Sequence, residues 1–432
     1  MQMKNKLKSE KGVMTMYVTV AVITFTIILT ALLSLAVATR RNQIKTIIKM
    51  KEVYEQNNSK KEQIYLAQKE KVELPSTGDT VPYYPDDTFI KDPDTDLDEG
   101  LVIRDKNKNE YVWIEVPKSL YNNEEYNTET TAEDQKPANS EDCDKIEYCL
   151  HKYTDYYRNG TDYKDEYSFD EALGLTKTQY DTLKQKMLKS VYENGGFWIG
   201  RYEAGITTNR TSNGEAITEA PLSKQGTVEN PVYPYTYITC SQAQTIANML
   251  TTSNYTSSLM FGVQWDLVMK HVEVKEVAKG IELATIQSAL RTDSKDWGNY
   301  YNAGFEINRG KYAKEEDNGV LSSEWSNYNI ALENHVTYEN GVSTKVASEF
   351  ESDTILLTTG ASDACKKMNI YDLAGNVLEW TLEYTSNPLT PCTNRGGNYN
   401  NGSSVLPVAS RYGISTNRVY SAGDGFRVSI FK

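Results

Sequence analysis

Residues Gly12 to Thr39 carry no charge and include the run VTVAVITFTIILTALLSLAV. About 20 apolar residues suffice to cross the hydrocarbon core of a bilayer. A cleaved secretory signal has a shorter apolar region and ends in a small-residue cleavage site. The length of this stretch, with a charged, helix-competent segment directly after it, predicts a retained transmembrane helix within an N-terminal segment 1–39. Basic residues flank both ends, so charge alone leaves the orientation open. Long domains translocate largely regardless of charge, and the short tail is the easier piece to keep inside. The expected location is the cell membrane, single-pass through residues 12–39, with the C-terminal domain extracellular.

Charge divides the chain of 432 residues. Residues 1–51 hold nine Lys or Arg against one acid, Glu10, and so carry +8. The whole chain carries -13, which leaves -21 on the remainder. A body that acidic repels phosphate backbones and argues against nucleic acid as a partner. It suits solubility or cation binding. With three histidines, His151, His271 and His335, a multi-histidine metal site is not expected.

Residues 40–72 are rich in helix formers and predict a helical stalk. From 73 to 99, Pro75, Pro82, Pro85 and Pro93 punctuate a polar, acidic stretch that reads as a linker. The globular domain is expected over 100–432. It opens with LVIRDKNKNEYVWIEVPK, two strands around a Lys-Asn-Lys-Asn turn. Residues 118–166 are polar, hold Cys143 and Cys149, and read as a surface insertion. A helix follows, with Thr176 and Gln179 as a capping box, a core stripe of Tyr180, Leu183, Met187, Leu188 and Val191, and a stop at Asn194-Gly195-Gly196. Phe197 to Glu203 predicts a strand. A second helix is expected from a Ser241 cap with Gln244 to about Leu250, and a third over roughly 262–272. Short strands and loops fill the rest.

Motifs then accumulate. Pro231-Val232 with the helix Ala243–Leu250, Val263-Gln264-Trp265-Asp266, Trp297-Gly298-Asn299, the run Tyr371-Asp372-Leu373-Ala374-Gly375-Asn376-Val377-Leu378-Glu379-Trp380, Arg395-Gly396-Gly397-Asn398-Tyr399, and Gly425-Phe426-Arg427-Val428 follow one another. In that order, over about 196–431, they resemble the blocks of the formylglycine-generating enzymes, the sulfatase-modifying-factor family. The run at 371–380 is similar to that family's "YDMxGNVWEW". The resemblance implies an α+β, C-type-lectin-like domain with low regular secondary structure, here preceded by the transmembrane helix and stalk. Separately, Lys11-Gly12-Val13-Met14-Thr15 resembles a type IV prepilin processing site, although Tyr17 stands where those proteins carry Glu. A pilin-like filament component is therefore a further alternative.

The family's oxidative chemistry uses two cysteines after the "GGSW" segment to hold copper, since reduced copper prefers soft sulfur ligands. The matching places here are Asn401 and Leu406, so the resemblance carries the scaffold without the reaction and no copper is expected. Cys365 and Cys392 are expected as a structural disulfide outside the cytosol, Cys143 and Cys149 as a local pair, and Cys240 as left over. The "GNVWEW" loop implies a structural calcium held through Asp372, Gly375, Val377 and Glu379. The C-terminal loops offer Asn398, Tyr399, Asn400, Asn401, Arg411, Tyr412, Arg418 and Tyr420, a Tyr/Asn/Arg mixture suited to recognition. They also resemble the variable proteins of diversity-generating retroelements. The expectation is a membrane-anchored surface protein with a non-catalytic head binding an extracellular protein, peptide or glycan. The alternative is an oxidoreductase of this family with a relocated active site.

Overall fold

The computed structural model describes residues 72–432 apart from 129–134, 159–164, 168–171, 213, 317–319, 352–353, 386 and 416–421. The apolar segment 12–39 and the stalk before residue 72 lie outside the described residues, as do Arg418 and Tyr420. Ten strands and five helices position everything that follows.

The strands expected around the Lys-Asn-Lys-Asn turn are β2 (Val102–Arg104) and β3 (Glu110–Glu115). Lys108 takes a positive φ of 66° to close the turn. The stretch expected as linker supplies β1 (Ile90–Lys91), which pairs antiparallel with β2. Asp92 fixes that edge by an ion pair with Arg104 at 2.6 Å. Thr80 donates to the Gly195 carbonyl at 2.7 Å and accepts from the Trp113 indole at 2.7 Å, so this segment is built into the body.

Helix α1 (Cys143–Tyr153) buries Ile146, Cys149 and Leu150 in the main core, so the polar stretch 118–166 contributes more than surface. Helix α2 (Lys177–Asn194) starts at the reciprocal Thr176–Gln179 capping box and stops at left-handed Gly195. All of its expected stripe is buried. Strand β4 (Gly196–Gly200) follows. It pairs with β3 so that Trp113 faces Trp198, with ring centroids 5.0 Å apart.

Helix α3 (Cys240–Asn248) is capped two residues before its expected cap. Thr239 and Gln242 form the box instead, because the Gln244 amide is buried and accepts from the Leu259 N–H at 3.0 Å. Strand β5 (Thr256–Leu259) comes next, then α4 (Gly262–Ala278), longer than expected and buried on almost every face of its first three turns. Helix α5 is Leu283–Arg291. Later strands are β6 (Leu378–Tyr384), β7 (Cys392–Arg395), β8 (Arg411–Ile414), β9 (Asp424–Phe426) and β10 (Val428–Phe431).

The main sheet runs β1-β2-β3-β4-β10-β5, all antiparallel. The second runs β8-β7-β6-β9, with β6 and β9 parallel. Two three-stranded sheets lie between residues 305 and 357.

This architecture corrects the expected fold class. The body is mixed α/β with more strands than helices, twenty strands against seven α-helices among the described residues, instead of a lectin-like α+β domain with low regular structure. Among the described residues no helix is long and apolar enough to cross a membrane. The Gly and Asn content that suggested loops punctuates short strands. Asn340 and Gly341, both at positive φ, form the tight turn between strands Val336–Glu339 and Val342–Lys345.

His271 on α4 shows how α4 meets the main sheet. Its Nδ1 accepts the Glu115 N–H at 3.2 Å, at the end of β3. Burial, reinforced by Lys275 and Lys279, pushes the imidazole down to about 3, so the folded protein holds it neutral. The unfolded chain binds the proton near pH 6.5. The native preference is therefore intact above that pH and is lost as pH falls from about 6.5 toward about 3. Urea unfolding of wild type and His271→Gln at pH 7 and pH 5 should show wild type losing about 2 kcal/mol more than the variant between the two. Equal losses would refute a buried neutral imidazole.

Candidate functional site

The two C-terminal motif blocks meet inside the body. Arg427, in the single-residue gap between β9 and β10, is fully buried. Its Nε donates to both oxygens of Glu379 at 3.2 and 3.1 Å, and one terminal nitrogen reaches the same carboxylate at 2.7 Å. The remaining donors take the Gly200 carbonyl at 2.9 Å and the Tyr371 carbonyl at 2.8 Å. One guanidinium thus ties the end of β4, the 371 turn and β6 together.

Two further buried carboxylates face this group. Asp372 accepts the Gly360 N–H at 2.8 Å. Glu203 accepts from the Asn376 amide at 2.8 Å and the Val377 N–H at 3.1 Å. Burial, with the charges of Asp372 and Glu379, holds the Glu203 carboxyl well above its usual range. Burial and Glu379 push Asp372 up to about 7 against the pull of the Gly360 N–H and Arg427. Burial raises Glu379 as well, opposed by Arg427.

The turn that carries these groups needs its glycine. Gly375 has φ 69°, and a Cβ there would fall 2.3 Å from the Asn299 carbonyl oxygen. Asn299 in turn donates to the Asn376 amide oxygen at 3.0 Å. The Trp297-Gly298-Asn299 and 371–380 blocks are therefore two sides of one contact.

The expected calcium ligands do not fit the ion in this arrangement. Calcium takes six to eight hard oxygens, often with a bidentate carboxylate. Both Glu379 oxygens face a guanidinium instead, and one oxygen of Asp372 is held by a backbone N–H. Arg427 supplies its positive charge directly to Glu379.

A second buried network lies where α4, β6, β7 and β8 converge. Arg395 pairs with Asp266 at 2.9 Å and Glu383 at 3.1 Å, all three side chains without exposure. Arg411 bonds the same two acids, and Arg158 adds a 2.9 Å contact to Asp266. Burial works to raise the Asp266 carboxyl, but Arg411, Arg395 and Arg158 together hold it below its usual range. Asp165 caps α4 by accepting the N–H groups of Gly262 and Val263 at 2.6 and 2.9 Å.

The expected recognition residues do not form one exposed face. Asn398 and Tyr399 are buried: the Asn398 amide oxygen accepts the Asn400 N–H at 3.3 Å, and the Tyr399 carbonyl accepts from Thr354 at 2.6 Å. The Arg411 side chain belongs to the network above. Asn400 and Asn401 are half-buried, and the Asn401 amide oxygen accepts the Asn398 N–H at 3.0 Å. Tyr412 is 40% exposed.

The cysteines depart from the expected pairing. All five are separate thiols. Cys143 and Cys149 are six residues apart on α1, about 9 Å along the helix axis, beyond the reach of one bridge. Cys365 contacts Ser362, while Cys392 donates to the Ala172 carbonyl and stands beside Cys240. None of these partners is in loop 398–406, where the resemblance would put a thiol pair.

Glu147, His151 and Asp165 bring three candidate ligand atoms together. Lys184 binds Glu147 at 2.8 Å and Arg158 lies 3.6 Å from Asp165, so cations of the protein already compensate these carboxylates.

Sequence reasoning missed Glu203, Glu383, Asp266, Arg158 and Asp165 as partners. The available signal was charge inside buried strands: Glu379 and Glu383 both lie in β6, whose other residues are almost all buried, and acids there require nearby donors.

No family model matches the chain, and no curated protein matches it.

Because Glu379 is neutralised from within, chelation of calcium with EGTA should leave the melting temperature unchanged. Arg427→Gln, which leaves a buried carboxylate without its partner, should cost about 3–5 kcal/mol in urea unfolding. A fall in melting temperature on chelation, reversed by added calcium, would contradict this account.

Proposed function

We propose that this chain is a membrane-anchored surface protein whose body, similar to the formylglycine-generating enzymes in its sequence motifs, is non-catalytic and binds a protein, peptide or glycan. One observation carries the reading. Asn401 and Leu406 stand where the resembled enzymes hold copper through sulfur, and neither offers a soft ligand. The Asn401 amide is engaged in closing its own loop. Anchoring through residues 12–39 rests on their uncharged sequence.

A surface for the ligand is supported by a groove of about 390 Å³ between α2 and α3. Thr178, Thr182, Lys186, Gln244, Thr245 and Asn248 line it. Hydroxyl and amide groups offer both donors and acceptors, which suits the hydroxyls of a sugar or the backbone of a peptide. Tyr412 adds an exposed aromatic ring on β8.

The test has two arms. The purified chain, incubated with Cu(I) and a cysteine-containing peptide, should consume no oxygen in an oxygen electrode. A glycan and peptide array should then yield a ligand whose affinity falls about tenfold or more in Lys186→Ala or Asn248→Ala, the size of a typical hot-spot truncation, with the melting temperature unchanged. Copper-dependent oxygen consumption would favour the oxidoreductase alternative and end the binding-only reading.

A further inference from the structure

Cys240 and Cys392 lie 152 positions apart in the chain and meet in the core. Cys240 is the first residue of α3, and Cys392 the first of β7. Their thiols are close enough to bear on one another's ionisation. Each sulfur is also aimed by a backbone carbonyl: Cys240 donates to Thr381 at 3.6 Å and Cys392 to Ala172 at 3.7 Å.

The surrounding backbone is fixed on both sides. Thr381 is the register partner of Thr393, next to Cys392. Gly174, two residues after Ala172, is packed so closely on α3 that a Cβ would fall 2.6 Å from the Ser241 carbonyl oxygen. Both sulfurs are therefore held in one spot by elements that do not depend on them.

We infer that Cys240 and Cys392 are the chain's disulfide pair, a covalent staple between α3 and the second sheet. A disulfide needs its two sulfurs to approach to about 2.05 Å, and the backbone bonded to Cys240 at Thr381 pairs with the residue next to Cys392, so the two thiols already share one region of the core. The exchange balances with an external disulfide as oxidant. One thiolate attacks its S–S bond and releases one thiol, and the second cysteine then displaces the other. The protein loses two hydrogens and gains one S–S bond, while the oxidant takes up the two electrons and two protons and leaves as two thiols. The neighbouring Cys392 thiol, together with burial, pushes the Cys240 thiol well above its usual range. The nucleophilic thiolate is thus scarce once the core has closed, which places the exchange during folding.

The experiment refolds the full chain in a mixture of reduced and oxidised glutathione, quenches with acid, alkylates under denaturing conditions and maps peptides by mass spectrometry. The expected result is a Cys240–Cys392 linked pair, with Cys143, Cys149 and Cys365 alkylated. Reduction should lower the melting temperature of wild type by about 4–8 °C and leave that of Cys240→Ala unchanged. Two outcomes overturn the inference: Cys240 and Cys392 both recovered alkylated, or Cys392 recovered linked to Cys365.

Discussion

The pairing of Arg427 with Glu379 is the contact on which the two sheets jointly depend. The guanidinium follows β9, receives its carboxylate from β6, and spends its other donors on carbonyls at the end of β4 and in the 371 turn. Removing charges from water costs several kcal/mol per ion, recovered only when the geometry is good and every donor finds an acceptor. Each of the three Arg427 nitrogens finds an acceptor. Such a pair adds little net stability over an apolar replacement, but it penalises any alternative packing that separates its members. Its role is to specify which strand meets which turn.

The Asp266–Glu383–Arg395–Arg411–Arg158 network does the same for α4 and the outer strands of the second sheet. Three guanidinia meet two shared acids, with Asp165 3.6 Å from Arg158. Two of the motif arginines, Arg395 and Arg427, are therefore consumed by the scaffold. The same holds for Trp265, whose indole donates to the Val408 carbonyl at 3.0 Å, and Trp380, whose indole donates to Ile238 at 3.0 Å. The residues that carry the resemblance are engaged in holding the body together, which is why the motifs say so much more about packing than about chemistry.

The local rules of the chain were legible. The Thr176 box, the Gly195 stop and the first hairpin follow from neighbours within a few positions, where propensity and hydrogen bonding act directly. The second helix shows the limit of that logic. Ser241 with Gln244 has the spacing of a cap, yet Gln244 is taken by Leu259, and the start moves to Thr239. The site failed to read out for the same reason. Whether Glu379 takes calcium or Arg427, and whether Arg411 faces solvent or Asp266, depends on partners 48 and 145 positions away. The polar stretch 118–166 misled because Arg158 and Asp165 look like surface charges until α4 is packed against them.

The loop after Arg395 lacks sulfur at 401 and 406 and is also closed by hydrogen bonds. A redox site requires ligands free to rebind a metal through a change of oxidation state. Here the Asn398 N–H is closed on Asn401, the Asn401 N–H returns to the Asn398 carbonyl at 3.0 Å, and Ser403 bonds Asp293 at 2.6 Å. The loop is thus held by hydrogen bonds within itself and to residues outside it. Buried polar groups satisfied in this way resist rearrangement, because each exposed donor or acceptor would cost about 1–3 kcal/mol. A loop so closed is a rigid wall for neighbouring surfaces, and under the proposed binding function it leaves recognition to other parts of the surface, such as the groove between α2 and α3.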